Sequence, residues 1–210
     1  MTAEVKHRSF ARRYVRASAK AEARGGRDHR RRLLAALTGR VIEVGAGNGL
    51  NFAHYPKTVS EVVAVEPDAT LRALAESAAG SAPVPITVVA GVADSLPVGD
   101  RSCDAAVASL VLCSVPNQAR ALAEIRRVLK PGGELRFYEH VIARNWLGAA
   151  LQHVIATFWP RIAGGCHPNR DTAAAISAAG FHIARIERFA FSPARFQPPA
   201  PHILGLARVH

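Results

Sequence analysis

The chain has 210 residues and a net charge of +11, and 49% of its residues are hydrophobic. This composition excludes an intrinsically disordered chain, and the length favours a single domain. Its three cysteines (Cys103, Cys113 and Cys166) form no Cys-x-x-Cys pair, which excludes a disulfide framework and most structural zinc patterns. No run of about 18 apolar residues predicts a membrane-spanning helix, and the first residues lack the apolar core of a secretory signal. We therefore predict a soluble, cytoplasmic protein.

The positive charge is concentrated in residues 1–40, which hold twelve Lys/Arg and three acids, against fifteen and thirteen in residues 41–210. We interpret residues 1–40 as a basic helical arm, with a helix over 10–37. Such an arm attracts anions, including the headgroups of an anionic membrane surface, although a solvated helix face is the plainer interpretation. No aromatic platform or base-reading motif accompanies it, so we predict no nucleic-acid binding.

From Val41 onward, apolar strand patterns alternate with helical ones. Five strands are predicted within RVIEVGAGNG, EVVAVEPD, PITVVAGVADSLP, CDAAVASLVLCSV and ELRFYEHV. Helices are predicted within ATLRALAESAAG and NQARALAEIRRVLKPGG, and residues 180–190 and 203–209 look like a closing antiparallel pair. This alternation predicts an α/β fold with a mainly parallel sheet and helices on both faces. In such sheets ligands bind beyond the carboxyl ends of the strands.

The turn after the first strand carries Gly45, Gly47 and Gly49 in E-V-G-A-G-N-G. Glycine allows positive φ and a close approach of backbone to ligand. Alone this is a weak signal, because several nucleotide-binding classes share it. The dinucleotide fingerprint needs a small residue where this chain has Leu50. Glu43, two residues before the first glycine, can take the ammonium group of an amino-acid-bearing cofactor, which NAD lacks.

The second strand ends in Glu66, where a carboxylate can accept hydrogen bonds from both hydroxyls of a ribose. The alternative is a helix-capping acid in the E-P-D turn. Taken together, the glycine turn and this acid favour an adenosine-type cofactor.

The ordered motifs VIEVGAGNG, VEPD, GVADSLP, SCDAAVASLVL and LKPGGELRF resemble those of class I S-adenosylmethionine-dependent methyltransferases of the methyltransferase type 11 group. NFAHYP, LVLCSVPNQ, FYEHV, GGCHPNRDT and PHILGLA are also similar to the microsomal thiol S-methyltransferases. The resemblance implies a Rossmann-like class I methyltransferase fold with a seven-stranded sheet over residues 41–210. Those microsomal enzymes begin with a hydrophobic anchor, where this chain has its basic arm.

The resemblance also implies a set of cofactor-binding residues for S-adenosylmethionine. The methionine part would be held by Glu43 and the glycine turn, and the ribose hydroxyls by Glu66. Pro67 would border the adenine, Ala93 would offer its backbone to the adenine edge, and Ser109 would face the sulfonium. Val92 stands where many relatives carry an acid that binds the adenine amino group, so Asp94 or the backbone would have to serve. The complete implied set is Glu43, Gly45, Ala46, Gly47, Gly49, Asn51, Glu66, Pro67, Val92, Ala93 and Ser109.

At the reacting end, His140 follows the fifth strand and is the candidate general base, since its ordinary pKa near 6.5 suits proton transfer at neutral pH. The alternative is a packed histidine paired with Glu139 or a carbonyl. Cys113 ends the fourth predicted strand and is a weaker candidate, because a buried thiol is often structural. Cys166 and His167, taken with His140 and His153, match no standard zinc spacing, and methyl transfer from a sulfonium needs no Lewis acid, so we predict no metal.

Residues 142–170 form an insertion on the substrate side. Within it one apolar stripe at helical spacing comprises Trp146, Leu147, Leu151, Val154, Ile155, Phe158 and Trp159. Such a stripe can be core, can line a lipophilic pocket or can touch a bilayer.

The sequence thus predicts a methyltransferase that acts on a small lipophilic acceptor, with sulfur favoured by the tighter resemblance. A quinone, phenol or phospholipid-headgroup methyltransferase is the alternative within the class. A non-catalytic adenosyl-binding protein at a membrane surface is the alternative outside it.

Overall fold

A computed structural model describes residues 8–195 and 197–209, with side chains from Phe10 onward. The strands are β1 (Gly39–Val44), β2 (Val59–Val65), β3 (Ile86–Val89), β4 (Cys103–Ser109), β5 (Leu129–His140), β6 (Phe181–Phe191) and β7 (Ala200–Val209). The helices are α1 (Arg8–Ala21), α2 (Arg27–Leu34), α3 (Ala69–Ala79), α4 (Gln118–Val128), α5 (Trp146–Ile155), α6 (Trp159–Ile162) and α7 (Thr172–Ala178).

One seven-stranded sheet has the order β3-β2-β1-β4-β5-β7-β6. Strands β1 to β5 pair in parallel, and β7 runs antiparallel to both β5 and β6. The predicted mainly parallel sheet with a closing antiparallel pair is confirmed. The chain moves outward from β1 to β3 and then crosses back to β4, so the carboxyl ends of β1 and β4 lie side by side at the switch point.

The two faces of the sheet bury separate apolar clusters, because successive side chains of a strand point to opposite faces. Ile42, Leu122 and Phe137 belong to the cluster under α4, whereas Val41 and Tyr138 belong to the other. This burial of both faces explains the continuous apolar runs of the central strands.

The basic arm contributes to the second cluster through Leu33, Leu34 and Leu37, which are all buried. It is broken where one long helix is predicted, because Gly25 takes a φ of +116° between α1 and α2. A residue with a Cβ disfavours that conformation, so the glycine sets the kink. The arm therefore folds back onto the sheet as two helices joined by a π-helical turn at Glu22–Gly26.

The fourth strand is shorter than predicted, since β4 ends at Ser109 and the apolar residues 110–115 leave the sheet. Leu110 takes a φ of +60°. The Glu139 carboxylate, at the end of β5, then accepts the backbone N–H groups of Val111, Leu112 and Cys113 at 2.9–3.1 Å. A buried acid with three donors fixes this turn, and the apolar pattern of residues 110–115 reflects burial without strand pairing.

The insertion forms α5 and α6 and buries Gln152 and Cys166, but its large apolar side chains lie outside the two core clusters. Six of its large apolar side chains are exposed, and we call them the apolar patch: Trp146, Leu147, Leu151, Val154, Phe158 and Ile162. The core interpretation is therefore wrong for the five of these residues that belong to the predicted stripe, which does not include Ile162. Among the described helices, neither these nor any other has the length and apolarity needed to cross a membrane.

Candidate active site

The glycine turn lies where β1 ends, beside the carboxyl ends of β2 and β4. The N–H groups of Gly45 and Ala46 both donate to the Val65 carbonyl, at 2.8 and 3.0 Å. Gly45, Gly47 and Gly49 have φ values of +67°, +58° and +79°. A Cβ on Gly45 would lie 2.5 Å from Val111, and one on Gly47 would lie 2.6 Å from the Tyr14 hydroxyl. Glycine is thus required by conformation and by close packing at both positions.

Glu66 follows β2, and its carboxylate faces the glycine turn. It accepts the N–H of Gly47 at 2.7 Å through Oε2 and that of Asp68 at 2.9 Å through Oε1. Burial raises its pKa, and these hydrogen bonds oppose the shift. Each carboxylate oxygen has two lone pairs, so both oxygens can accept a further donor such as a ribose hydroxyl. The capping role falls instead to Asp68, which accepts the N–H groups of Thr70 and Leu71 at the start of α3.

Glu43 lies inside a buried network beneath the turn. It accepts Asn51 Nδ2 at 2.8 Å and the Tyr55 hydroxyl at 2.7 Å. Burial raises its pKa to about 7. Asn51 in turn accepts Arg30 Nη1 at 2.9 Å. Glu43 therefore holds Asn51 and Tyr55 in place, and the predicted direct contact of its carboxylate with an ammonium group stays a prediction.

A buried acceptor beside the turn lacks a donor. The Asn48 side-chain oxygen is buried and has no hydrogen-bond partner within residues 8–195 and 197–209. A buried polar atom left unpaired is costly, so the site is suited to a ligand that brings an N–H or O–H group.

The basic arm covers this end of the sheet. Tyr14 on α1 packs against Gly47, and the buried Arg30 on α2 donates to Ser109 Oγ at 3.1 Å. Arg30 also forms an ion pair with Glu22 at 2.8 Å. These contacts place the arm over the carboxyl ends of β1 and β4. Arg30 was not identified from the sequence, where it is one of many arginines in a basic segment.

The residues expected around the adenine lie beyond β2 and β3. Pro67 is half-buried next to Glu66, and Ala93 packs against the α4-side cluster. Val92 is 38% exposed and forms an isolated antiparallel bridge with Ser95. Because they follow β2 and β3, these residues lie at the same edge of the sheet as the glycine turn, which follows β1.

The reacting end contains three side chains that we call the cysteine–histidine cluster, namely Cys113, His140 and Cys166. The sulfurs lie 3.8 Å apart, and His140 Nδ1 lies 3.9 Å from Cys113 Sγ and 3.7 Å from Cys166 Sγ. Both cysteines are buried and His140 is half-buried. The alternative pairing of His140 with Glu139 is not seen, because Glu139 is turned toward the backbone of residues 111–113.

The two thiols of the cluster differ in acidity. Hydrogen bonding with Cys113, aided by His140 and Trp159, lowers the pKa of Cys166 to about 5 against the opposing effect of burial. The same hydrogen bond, together with burial, raises the pKa of Cys113. Cys166 is therefore the better thiolate of the pair. Sequence spacing could not reveal this cluster, since its members come from three separate segments.

Comparison with known proteins identifies the class. The family model described as "Methyltransferase domain" matches residues 42–137. Thiol S-methyltransferase TMT1B of Rattus norvegicus is 36% identical to this chain, over 80% of the chain and 69% of the relative. Thiol S-methyltransferase TMT1A of Homo sapiens is 35% identical, over 80% of the chain and 69% of the relative.

A solved structure matches the fold over nearly the full length of both chains. An S-adenosylmethionine-dependent methyltransferase of Thermotoga maritima has a TM-score of 0.71 and 20% identity, and the match covers 96% of this chain and 97% of that one. The Rossmann-like class I methyltransferase fold is thereby confirmed.

The residues at the switch point fit S-adenosylmethionine. The positive-φ glycines leave room for close approach, Glu66 keeps acceptor capacity, and Asn48 presents a buried acceptor without a donor. The protein is an S-adenosylmethionine-dependent methyltransferase, and the chain belongs to the thiol S-methyltransferase family.

Proposed function

We propose that this methyltransferase transfers a methyl group to the sulfur of a small lipophilic thiol. The observation that carries the proposal is the position of the cysteine–histidine cluster. The turn that carries Cys113 contacts the glycine turn, because Val111 packs directly against Gly45. The names of the thiol S-methyltransferase relatives support sulfur as the acceptor atom.

The cofactor supplies an electrophilic methyl group on a sulfonium when it is bound. The glycine turn and Glu66 would hold it at the ends of β1 and β2, and Ser109 would border its reacting part. Tyr14 and Arg30 cover this edge and exclude water from it. The protein thereby contributes mainly alignment of the two reactants and exclusion of solvent.

The acceptor must approach from the side of β4 and β5, where the cluster and the insertion lie. A thiol with a pKa of about 8.5 is already partly ionised at neutral pH, so it requires little assistance to become a nucleophile. His140 is the half-buried member of the cluster and so the polar side chain that an acceptor on this side can reach. Its Nδ1 already faces the two sulfurs, so any role as a general base falls to the other ring nitrogen.

Transfer of a tritiated methyl group from S-adenosylmethionine tests this proposal. The purified chain is offered separate acceptors: an aliphatic thiol, an aromatic thiol, a phenol, a reduced quinone and a phospholipid. We expect label in the two thiols, recovered as thioethers. Label only in the phenol, quinone or phospholipid would overturn the thiol assignment and support the alternative acceptors.

We also propose that a membrane surface presents such acceptors to the protein. The apolar patch adjoins the arm, because Phe10 at the start of α1 packs against Gly164 after α6. Arg12, Arg13 and Arg16 on α1 are exposed. Basic side chains next to exposed apolar ones complement an anionic bilayer, where the charges meet headgroups and the apolar groups enter the interface.

A further inference from the structure

The cysteine–histidine cluster has the dimensions of one face of a metal tetrahedron. Tetrahedral zinc with Zn–S near 2.3 Å and Zn–N near 2.0 Å requires S···S and S···N separations of about 3.8 and 3.5 Å. The observed separations are 3.8 Å between the sulfurs, and 3.7 and 3.9 Å from the sulfurs to His140 Nδ1. The S···S edge thus equals that of tetrahedral zinc, and the two S···N edges are longer by about 0.2 and 0.4 Å, so a small inward shift of the His140 ring completes the face.

The surrounding backbone holds the ligand atoms in this arrangement. Glu139 fixes the turn of Cys113 through three N–H groups, and the His167 N–H donates to the Cys113 carbonyl at 2.8 Å. Gly165, with φ of +84°, lets the Cys166 loop approach closely, since a Cβ there would lie 2.7 Å from the Ser114 carbonyl oxygen. The His140 ring packs against the His202 ring, with the ring centroids 4.2 Å apart and an interplanar angle of 44°. Preorganisation of this kind is what a metal site needs.

The donor set also selects the ion. Two thiolates and an imidazole suit a soft, tetrahedral divalent ion, and a Cys₂His set that leaves the fourth position open is a known catalytic zinc arrangement. Two thiolates neutralise the charge of the ion, which is favourable in a mostly buried site. The expectation of no metal was based on sequence spacing and on a reaction that needs no Lewis acid. Spacing cannot detect ligands that the fold brings from three segments, and a metal can act on the acceptor thiol instead of the sulfonium.

We propose that Cys113, His140 and Cys166 bind one zinc ion and that the acceptor thiol occupies its fourth position. This proposal rests on the proposed thiol methylation. The acceptor R–SH binds as a thiolate and its proton passes to water. A sulfur lone pair then forms the new S–CH₃ bond, while the bond from the methyl carbon to the sulfonium breaks and its electron pair stays on the cofactor's sulfur. The neutral thioether is a poor ligand and leaves the ion.

This arrangement assigns His140 a different task from the predicted one. As a ligand through Nδ1 it positions the ion, and the ion lowers the pKa of the bound thiol, so that no general base is required. The half-exposed edge of the cluster at His140 is the side from which an acceptor can enter.

Titration of the chelator-treated, phosphine-reduced full chain with Co²⁺ alone tests the site without an activity measurement. We expect one equivalent to bind, with a sulfur-to-cobalt charge-transfer band and the intense ligand-field bands of tetrahedral cobalt. Adding 2-mercaptoethanol should raise the charge-transfer intensity by about half as a third sulfur joins two. One equivalent of Zn²⁺ should displace the cobalt.

Ligand variants and a matched control locate the ion. Loss of a residue that only hydrogen-bonds to a metal ligand weakens metal binding about 10- to 100-fold. Loss of a ligand itself should cost more, so Cys113→Ser, Cys166→Ser and His140→Ala should each weaken Zn²⁺ binding at least about 100-fold. Cys103→Ser should bind Zn²⁺ as the wild type does, because Cys103 is a buried cysteine at the opposite end of β4. Circular dichroism and cofactor binding report whether each variant is folded.

The two proposals fail in distinguishable ways. Absence of stoichiometric Co²⁺ or Zn²⁺ binding by the reduced wild-type chain would overturn the metal site, as would thiol methylation at full rate in metal-free protein; both leave thiol methylation standing. Stoichiometric Zn²⁺ binding without any methylation of thiols would instead overturn the proposed acceptor.

Discussion

The two ends of the active site differ in how the sequence encodes them. The cofactor end is built from the glycine turn and Glu66, which lie on two consecutive strands and are joined by one hydrogen bond of 2.7 Å from Gly47. The proposed acceptor end consists of Cys113, His140 and Cys166, which come from three segments and meet only in the folded protein. On our proposal, the first end holds a cofactor that many methyltransferases share, and the second distinguishes one acceptor from another.

The largest effect is expected from filling the cofactor end. Gly47→Val adds side-chain atoms at a position with φ of +58° whose Cβ would lie 2.6 Å from the Tyr14 hydroxyl. We expect S-adenosylmethionine binding to fall below detection in calorimetry. Gly99→Ala is the matched control, because a Cβ there meets nothing within 4 Å. Normal binding by Gly47→Val would mean that the turn is purely structural.

A smaller loss is expected from Glu66→Ala, which removes the acceptor for the ribose hydroxyls. Hydrogen bonds to a charged partner contribute about 1.5–3 kcal/mol, so cofactor affinity should fall about ten- to a hundredfold. Glu76→Ala, an exposed acid on α3, is the control. If both variants bind the cofactor equally well, Glu66 is a structural residue of the turn.

The same difference between local segments and distant contacts decides which parts of the fold could be predicted from the sequence. The individual strands, including the two that close the sheet, and the glycine turn could be predicted from local patterns, since each of them lies within a short contiguous segment. The early end of β4 does not follow, because it depends on Glu139 contacting a turn that lies 26 to 28 residues earlier in the chain. The burial of Arg30 depends likewise on tertiary packing of the arm, whereas the kink between α1 and α2 has a local cause in Gly25.

The buried network below the cofactor end predicts a pH effect on stability. Burial raises the Glu43 pKa from 4.5 to about 7, so the folded chain retains a proton that the unfolded chain releases above about pH 4.5. Stability from this group is full below pH 4.5 and is lost as the pH rises toward 7. The loss is at most about 3 to 4 kcal/mol, from 1.36 kcal/mol per unit of pKa.

Urea unfolding of the wild type and of Glu43→Gln at pH 5 and pH 8 measures this loss. The wild type should lose more stability than the variant between the two pH values, because glutamine does not ionise. Glu76→Gln should follow the wild type. Parallel behaviour of the wild type and Glu43→Gln would show that the Glu43 pKa is not raised.

The smallest effect concerns the outer surface of the acceptor end. Phe158→Glu and Leu151→Glu in the apolar patch should weaken sedimentation with vesicles of anionic phospholipid about tenfold, since burying a large apolar side chain contributes about 1.5–3 kcal/mol. Leu74→Glu is the control, because Leu74 is 43% exposed on α3 outside the patch. Equal binding by all three variants would exclude the patch from the membrane contact.

Removing arginines tests the other half of that contact. Arg12→Ala and Arg16→Ala together should weaken vesicle binding by about 2 kcal/mol at low salt, at about 1 kcal/mol per basic residue. The difference should vanish at high salt, where surface charges are screened. A loss that is independent of salt would contradict an electrostatic role for the arm.

The separation of the two ends is tested most directly by single-turnover methyl transfer to a thiol, with cofactor prebound, in Cys166→Ser and Cys103→Ser. Cys166→Ser should bind S-adenosylmethionine as the wild type does and transfer the methyl group at least about 100-fold more slowly, as expected for loss of a ligand from the acceptor site. Cys103→Ser should match the wild type in both measurements. Unchanged transfer by Cys166→Ser, or a loss of cofactor affinity as large as the loss of rate, would contradict an acceptor site at the cysteine–histidine cluster.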